Sequence, residues 1–238
     1  MNYQDILFSI QGGVASVTLN RPDKLNAFRG QTVNELTQAL NAAIKEDSVG
    51  VIIITGSGEK SFCVGGDLEE MKGLDSKSGA LFVQRLLHLA RTFLNCPKPI
   101  IAKVNGYCLG GGNEIQLFCD LTMASEKSTF GQVGPKVGSA PLWGGTQLLP
   151  RLIGMKKAKE MVFLCKQYSA TEAQEMGLIN FVAPGGELDA FTQKICQEIL
   201  MKSPQSLRLV RQAFHEGILK EIERDLKKLT KIYGSAEL

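Results

Sequence analysis

The chain has 238 residues, of which 44% are hydrophobic and 21% are charged, so it can bury the core of a single domain. Its formal net charge is +3 and its basic residues are scattered, which disfavours nucleic acid as a partner. Residues 1–5 lack a secretory-signal pattern and no apolar run is long enough to span a membrane, so we expect a cytoplasmic protein with no membrane partner. The six cysteines form no C-x-x-C pair, and we expect reduced core residues and no metal site.

The first elements in chain order are predicted to be a β-hairpin and a helix. Residues 6–10 and 14–19 are apolar runs rich in β-branched side chains, and the Gln-Gly-Gly segment between them predicts a turn. Apolar residues then recur three and four positions apart between residues 31 and 45, which predicts one buried face of a helix. These residues are Val33, Leu36, Leu40 and Ile44.

The middle of the chain alternates two patterns. Continuous apolar runs predict strands that are covered on both faces, at residues 51–54, 100–104 and 121–124. Helical patterns alternate with these runs, at residues 78–94, 111–119 and 156–166. This alternation predicts an α/β fold with parallel strands joined by crossover helices.

The last part of the chain is predicted to be helical. After Gly177, which we interpret as a helix C-cap, a short strand is predicted at residues 179–182. Ser203, followed by a proline, has the pattern of an N-cap and a first helical turn. We therefore divide the chain into an α/β core, residues 1–185, and a C-terminal helical region, residues 186–238, that folds over it.

Two glycine clusters, at residues 63–67 and 109–114, fall immediately after buried-strand candidates. In open α/β sheets, ligands bind beyond the carboxyl ends of the strands. Glycine lets the backbone approach a ligand there, and a helix that begins at the same place presents free N–H groups. Two such turns can direct two N–H groups at one oxygen atom, so the clusters predict an oxyanion hole.

Other catalytic motifs do not fit. The cluster at residues 110–114 lacks the Gly-Lys-Ser/Thr ending of a phosphate loop and the spacing of a dinucleotide fingerprint. No G-x-S-x-G turn is present, and neither His88 nor His215 lies in a glycine turn, so the sequence does not favour a serine hydrolase. We interpret His88 as structural.

These clusters belong to a longer series of motifs that resembles the enoyl-CoA hydratase/isomerase (crotonase) superfamily. The series covers almost the whole chain in order, at residues 20–27, 62–68, 105–114, 119–121, 130–132, 144–147 and 173–178. The resemblance implies a crotonase (ClpP-like) fold of repeated ββα units, acyl-CoA substrates, and homotrimers or dimers of trimers. Coenzyme A would then be part of the substrate, with no tightly bound cofactor.

The resemblance also implies roles for particular residues. It makes the N–H groups of Gly66 and Gly111 the oxyanion hole, and Glu114 the first of two hydratase glutamates. The position of the second glutamate is Gly134, so a single carboxylate is left for acid–base work. The implied CoA-binding residues are Lys24, Ala27, Gly65, Asp67 and Leu68. Hydration or dehydration of an enoyl-CoA by a lyase is our first expectation.

A second hypothesis is that the enzyme forms or cleaves a carbon–carbon bond of a ring. Residues 130–139 resemble 1,4-dihydroxy-2-naphthoyl-CoA synthases and 2-ketocyclohexanecarboxyl-CoA hydrolases, in which a serine like Ser139 contacts the substrate. Their aspartate two residues later is Pro141 here. Some of these synthases hold bicarbonate beside a glycine like Gly134 with a glutamine like Gln132, but Val162 replaces the accompanying tryptophan.

Three further possibilities remain open at this stage. Decarboxylation or isomerisation of an acyl-CoA would use the same oxyanion hole. A crotonase-fold protein without catalysis would act as a binding module. Relatives also continue past a segment like residues 233–237 into a final helix, so we expect either a shortened tail or an acyl pocket without its usual lid.

Overall fold

The computed structural model describes residues 3–233. Its strands are β1 (Ile6–Gln11), β2 (Val14–Leu19), β3 (Val51–Gly56), β4 (Ser61–Cys63), β5 (Ile100–Val104), β6 (Tyr107–Leu109), β7 (Leu121–Ser125), β8 (Thr129–Gly131), β9 (Gln167–Ser169) and β10 (Phe181–Ala183). Its α-helices are α1 (Gly30–Lys45), α2 (Leu68–Lys72), α3 (Ser76–Asn95), α4 (Gly111–Phe118), α5 (Gly145–Ile153), α6 (Met155–Phe163), α7 (Ala170–Glu175), α8 (Leu188–Leu200), α9 (Pro204–His215) and α10 (Ile218–Leu226).

A six-stranded sheet in the order β1-β2-β3-β5-β7-β10 forms the centre of the fold. The β1–β2 pair is antiparallel and the other pairs are parallel. Gly12 and Gly13 connect β1 to β2 with φ angles of 57° and 82°, which a two-residue hairpin turn requires. The predicted α/β class, the hairpin and the parallel strands are confirmed.

Each buried strand of this sheet contributes side chains to two hydrophobic cores. In β3, Ile52 and Ile54 face the larger core, whereas Val51 and Ile53 face a smaller core that also contains residues of α8. Successive side chains of a strand point to opposite faces, so a strand covered on both sides is apolar throughout. This explains the continuous apolar runs in the sequence.

A second, four-stranded sheet in the order β4-β6-β8-β9 was not predicted from the sequence. Each of its strands has three residues, which is too short to give an apolar run that stands out. The pairs β4–β6 and β6–β8 are parallel. The glycine clusters therefore follow β4 and β6 of this second sheet. Each of these short strands is the next strand in the chain after a strand of the central sheet, β3 or β5.

Several element boundaries differ from the prediction by one to three residues, among them the end of α6 and the start of the last strand. Helix α6 ends at Phe163 and not at residue 166, because Cys165 has a left-handed φ of 48° that stops the helix. The last strand begins at Phe181 and not at residue 179. Gly177 has φ 81°, and the N–H groups of Leu178 and Ile179 still bond to the end of α7.

Helix α9 begins as predicted. The Ser203 side chain accepts a hydrogen bond from the N–H of Ser206, and Pro204 is the first residue of α9. Helix α10 packs against α3, and its buried residues Ile222 and Leu226 join the larger core. No helix within residues 3–233 is long and apolar enough to cross a membrane. The expected tail after Tyr233 lies outside the described residues.

Candidate active site

A cavity of about 430 Å³ opens beside the two glycine clusters. The predicted site residues in its wall are Lys24, Ala27, Gly65, Gly66, Asp67, Leu68, Gly111, Gly134 and Ser139. Glu114 lines an adjoining cavity of about 50 Å³, which shares Gly66, Gly111 and Ser139 with the first. Residues that lie far apart in the sequence are thus brought together at one place.

The two glycine turns nearly touch. A Cβ atom added to Gly65 would lie 3.0 Å from the backbone nitrogen of Gly111, and Gly65 has a φ of 102° that favours glycine. Phe28 holds the first turn, because its N–H donates to the Gly65 carbonyl at 2.9 Å and its carbonyl accepts from the Asp67 N–H at 2.8 Å. These bonds leave Gly66 between two fixed neighbours.

The N–H groups of Gly66 and Gly111 are free of hydrogen bonds to any group within residues 3–233. Gly111 is the first residue of α4, where helical N–H groups have no partner inside the helix. Both N–H groups belong to residues in the wall of the small cavity. The arrangement can therefore bind one oxygen atom with two backbone donors at the positive end of a helix dipole.

Glu114 lies in the first turn of α4 and is 5% exposed. Its Oε1 accepts hydrogen bonds from the N–H groups of Trp143, at 2.9 Å, and Gly145, at 3.1 Å. Burial raises the pKa of Glu114 to about 8, although these two bonds act in the opposite direction. A carboxyl group with such a pKa can take up or release a proton near neutral pH.

Aromatic and aliphatic side chains enclose the small cavity around Glu114. The Trp143 Nε1–H donates to the Leu86 carbonyl at 2.8 Å, and the Trp143 ring meets Phe28 edge to face at a centroid distance of 6.0 Å. Tyr233 packs edge to face on Phe82 at 5.9 Å. Burial, together with the Glu114 charge, raises the pKa of Tyr233. The surroundings of the carboxyl group are therefore mostly apolar.

The larger cavity carries charged side chains. Asp67 caps α2 by accepting from the Glu69 N–H at 3.1 Å, and it pairs with Arg21 at 2.9 Å. Although burial opposes the change, Arg21 and the backbone bond lower the pKa of Asp67. Lys24 Nζ lies 2.9 Å from Glu69 Oε2. The exposed side chains of Leu68 and Val137 also line this cavity.

Ser139 and Gln132 have different positions. Ser139 lines both cavities, and its hydroxyl group has no hydrogen-bond partner within residues 3–233. Gln132 is fully buried outside both linings, and its amide has no partner in the described part of the chain. A Cβ atom added to Gly145 would lie 3.1 Å from Glu114 Oε1 and 3.4 Å from Gln132 Nε2. Gln132 thus lies next to Gly145, one of the two residues whose N–H groups bind Glu114.

Comparison with known proteins agrees with this geometry. The family described as enoyl-CoA hydratase/isomerase matches residues 9–235. The chain belongs to the enoyl-CoA hydratase/isomerase family. An enoyl-CoA hydratase from Bacillus anthracis is 33% identical, with 95% of this chain and 90% of that chain covered and a TM-score of 0.85. An enoyl-CoA hydratase/isomerase from Xanthobacter autotrophicus Py2 is 32% identical, with 99% and 90% covered and a TM-score of 0.90.

Family membership confirms the crotonase fold and places the chain among enzymes that act on CoA thioesters. The specific similarity to naphthoyl-CoA synthases stays a prediction. Neither His88 nor His215 lines the two cavities around the glycine turns. Within residues 3–233, no group of three His, Cys, Asp or Glu residues could hold a metal ion.

Sequence reasoning missed several residues of this candidate site. Trp143 and Gly145 hold Glu114, Met71 lines both cavities, and Leu229 and Tyr233 form part of the small cavity's wall. The single tryptophan of the chain, beside two glycines, was a signal that could have been used. Leu229 and Tyr233 also show that the C-terminal region covers one side of the small cavity.

Proposed function

We propose that this enzyme is a lyase that adds water to an enoyl-CoA or removes it from the hydroxyacyl-CoA. One observation carries the proposal: the free N–H groups of Gly66 and Gly111 and the buried Glu114 carboxyl group line the same small cavity. An oxyanion hole and a proton carrier are the two functions that this reaction needs.

In the proposed reaction, the thioester oxygen accepts hydrogen bonds from Gly66 and Gly111. When the water oxygen bonds to C3, the C2–C3 double bond opens and negative charge moves to the thioester oxygen as an enolate. The two N–H groups bind this charge more strongly than they bind the neutral carbonyl group. They therefore stabilise the transition state more than the substrate.

Glu114 would carry the proton. As carboxylate it takes a proton from the attacking water molecule, and it then delivers this proton to C2 of the enolate and becomes a carboxylate again. The product gains one hydroxyl group and one hydrogen atom, and the enzyme is unchanged. A pKa of about 8 lies close enough to neutral pH for both transfers.

The CoA part of the substrate would lie along the larger cavity. We assign this path to the lining residues Lys24, Ala27, Gly65, Asp67 and Leu68. The Asp67 carboxylate already pairs with Arg21, so its part is to hold the turn in place. Gly134 lines the same cavity, whereas Gln132 lines neither cavity and is proposed to act only by packing beside Gly145, which binds Glu114. No tightly bound cofactor is proposed.

We also propose a cytoplasmic homotrimer or dimer of trimers. Helix α9 supports an association, because Leu209, Val210 and Phe214 are 54%, 51% and 77% exposed. Apolar side chains clustered on one surface helix are typical of a protein interface. Light scattering at micromolar concentration tests the assembly, and a monomer would refute it.

A second candidate is ring-forming or ring-opening carbon–carbon chemistry. The observation that favours it is the Ser139 hydroxyl group, which has no partner in the described part of the chain and belongs to the wall of both cavities. In this alternative the serine contacts the substrate, and Glu114 is not needed for proton transfer. The oxyanion hole keeps its role.

A turnover screen with crotonyl-CoA and cyclic acyl-CoAs, run beside CoA-binding calorimetry, tests the proposal. We expect hydration of crotonyl-CoA or a related enoyl-CoA. Turnover of cyclic substrates alone would favour the carbon–carbon alternative. CoA binding without any turnover would instead indicate a binding module, and absence of both would overturn the proposal.

A further inference from the structure

The larger cavity carries an ion pair that the proposed chemistry does not use. Lys24 and Glu69 both line this cavity, and their charged atoms are 2.9 Å apart. Lys24 ends a 3₁₀ turn at Pro22–Lys24, whereas Glu69 lies in the first turn of α2. The pair therefore connects two separate chain segments where an anionic ligand would enter.

Charges around the cavity differ in how firmly they are held. The side chains of Arg21 and Asp67, which also pair, are 15% and 10% exposed. The side chains of Lys24 and Glu69 are 51% and 80% exposed. A pair in water is weak and is screened by salt, so a stronger anion can replace Glu69 at Lys24.

Lys24 is the single cationic side chain among the described residues that line the cavity. Glu69 is its one ionic partner within residues 3–233. A phosphate group carries more charge than a carboxylate and offers several acceptor oxygens to a lysine ammonium group. Lys24 is therefore paired with Glu69 before the ligand arrives, and a phosphate group competes with Glu69 for the same ammonium group.

The geometry points to Glu69 as an internal competitor that occupies Lys24 until a phosphate group of the substrate displaces it, and that thereby weakens CoA binding. This inference rests on the proposed function, because it requires a phosphate-bearing thioester at Lys24. Helix α2 keeps its N-cap from Asp67 when Glu69 changes. The effect of Glu69→Gln is therefore expected to act through charge.

Calorimetry of CoA binding to the full chain tests the inference with four proteins: wild type, Glu69→Gln, Lys24→Gln and the double variant. When Lys24 is present, Glu69→Gln should lower the Kd of CoA about two- to five-fold, which is the size expected for an exposed ion pair. In the Lys24→Gln background this gain should disappear. An equal gain in both backgrounds, or no gain in either, would overturn the inference.

Asp23→Asn provides a matched control. Asp23 is exposed and adjacent to Lys24 in the chain, but it forms no ion pair with a described residue. Its neutralisation should tighten CoA binding less than Glu69→Gln does. Equal gains would show a general effect of surface charge and would overturn the inference.

A phosphate-free substrate gives a second readout. The change in kcat/KM caused by Glu69→Gln should be larger for a CoA thioester than for the corresponding pantetheine thioester, and equal changes would contradict a role at the phosphates. If CoA does not bind the wild-type chain, the proposed function and this inference both fail. If CoA binds but does not respond to Glu69→Gln, the inference alone fails.

Discussion

The site has two parts that are built in different ways. The inner end is the small cavity around Glu114, and the mouth is the part of the larger cavity at Lys24 and Glu69. At the inner end, Glu114 is 5% exposed and is held by two backbone N–H groups, beside the backbone donors of Gly66 and Gly111. At the mouth, the exposed side chains of Lys24 and Glu69 pair with each other and with no other charged group in residues 3–233. Polar groups that backbone hydrogen bonds fix in apolar surroundings interact strongly with a ligand, whereas ion pairs between exposed side chains change the binding affinity only slightly. Substitutions at the inner end should therefore have much larger effects than substitutions at the mouth.

The largest effect is expected for Glu114→Gln. The amide keeps the shape of the side chain but cannot carry the proton, so kcat should fall about 100-fold to 10,000-fold. Steady-state kinetics on the best enoyl-CoA measures this loss, and calorimetry should show almost unchanged CoA binding. Wild-type turnover in this variant would rule out hydration through Glu114.

A somewhat smaller effect is expected when one oxyanion donor is removed. Gly111→Pro lacks the N–H group, and Gly111→Ala keeps it. Both introduce a Cβ atom that would lie 2.6 Å from the Phe28 ring, so alanine is the control for the clash. Proline should lower kcat about 100-fold to 1,000-fold more than alanine does. Equal losses in two folded variants would show that the Gly111 N–H does not bind the oxyanion.

The buried carboxyl group also predicts how stability depends on pH. The folded-state pKa of Glu114 is about 8, above its ordinary value of 4.5, so the folded state binds the proton more tightly. The stabilisation is complete below pH 4.5 and is lost as the pH rises through 8. At roughly 1.4 kcal/mol per pKa unit, wild type should lose about 3–5 kcal/mol relative to Glu114→Gln. Urea unfolding at several pH values measures this, and parallel curves would contradict a buried neutral carboxyl group.

The smallest effect at the inner end is expected for Ser139→Ala. If the enzyme is a hydratase, loss of one neutral hydrogen bond to the substrate should lower kcat/KM by less than about tenfold. Kinetics of this variant should be measured on the same substrate as Glu114→Gln. A greater loss for Ser139→Ala than for Glu114→Gln would favour ring carbon–carbon chemistry.

The sequence predicted local features of the molecule, but it did not predict the contacts between distant segments. The hairpin, β3, β5, β7 and the glycine clusters were predicted, because apolar periodicity and positive-φ turns are local properties. The support of Glu114 by Trp143 and Gly145 was not predicted, since it depends on packing between segments distant in the chain. The place of Tyr233 in the small cavity was missed for the same reason.

The resemblance to the family identified which local features meet. It could not show that Lys24 would be neutralised by Glu69, because this ion pair depends on how two turns face each other. The three-residue strands of the second sheet were also beyond sequence patterns, although they carry both glycine turns. The sequence therefore predicted the local motifs of the site, but not the distances between them.

The most direct test is the infrared band of the thioester carbonyl group in a bound, unreactive acyl-CoA labelled with ¹³C at that carbon. Two hydrogen bonds from Gly66 and Gly111 should polarise this carbonyl group and shift its band to lower frequency than in water. The shift should persist in Glu114→Gln and should be smaller in Gly111→Pro than in Gly111→Ala. A bound carbonyl band at its frequency in water would contradict the oxyanion hole and, with it, the account of how this enzyme works.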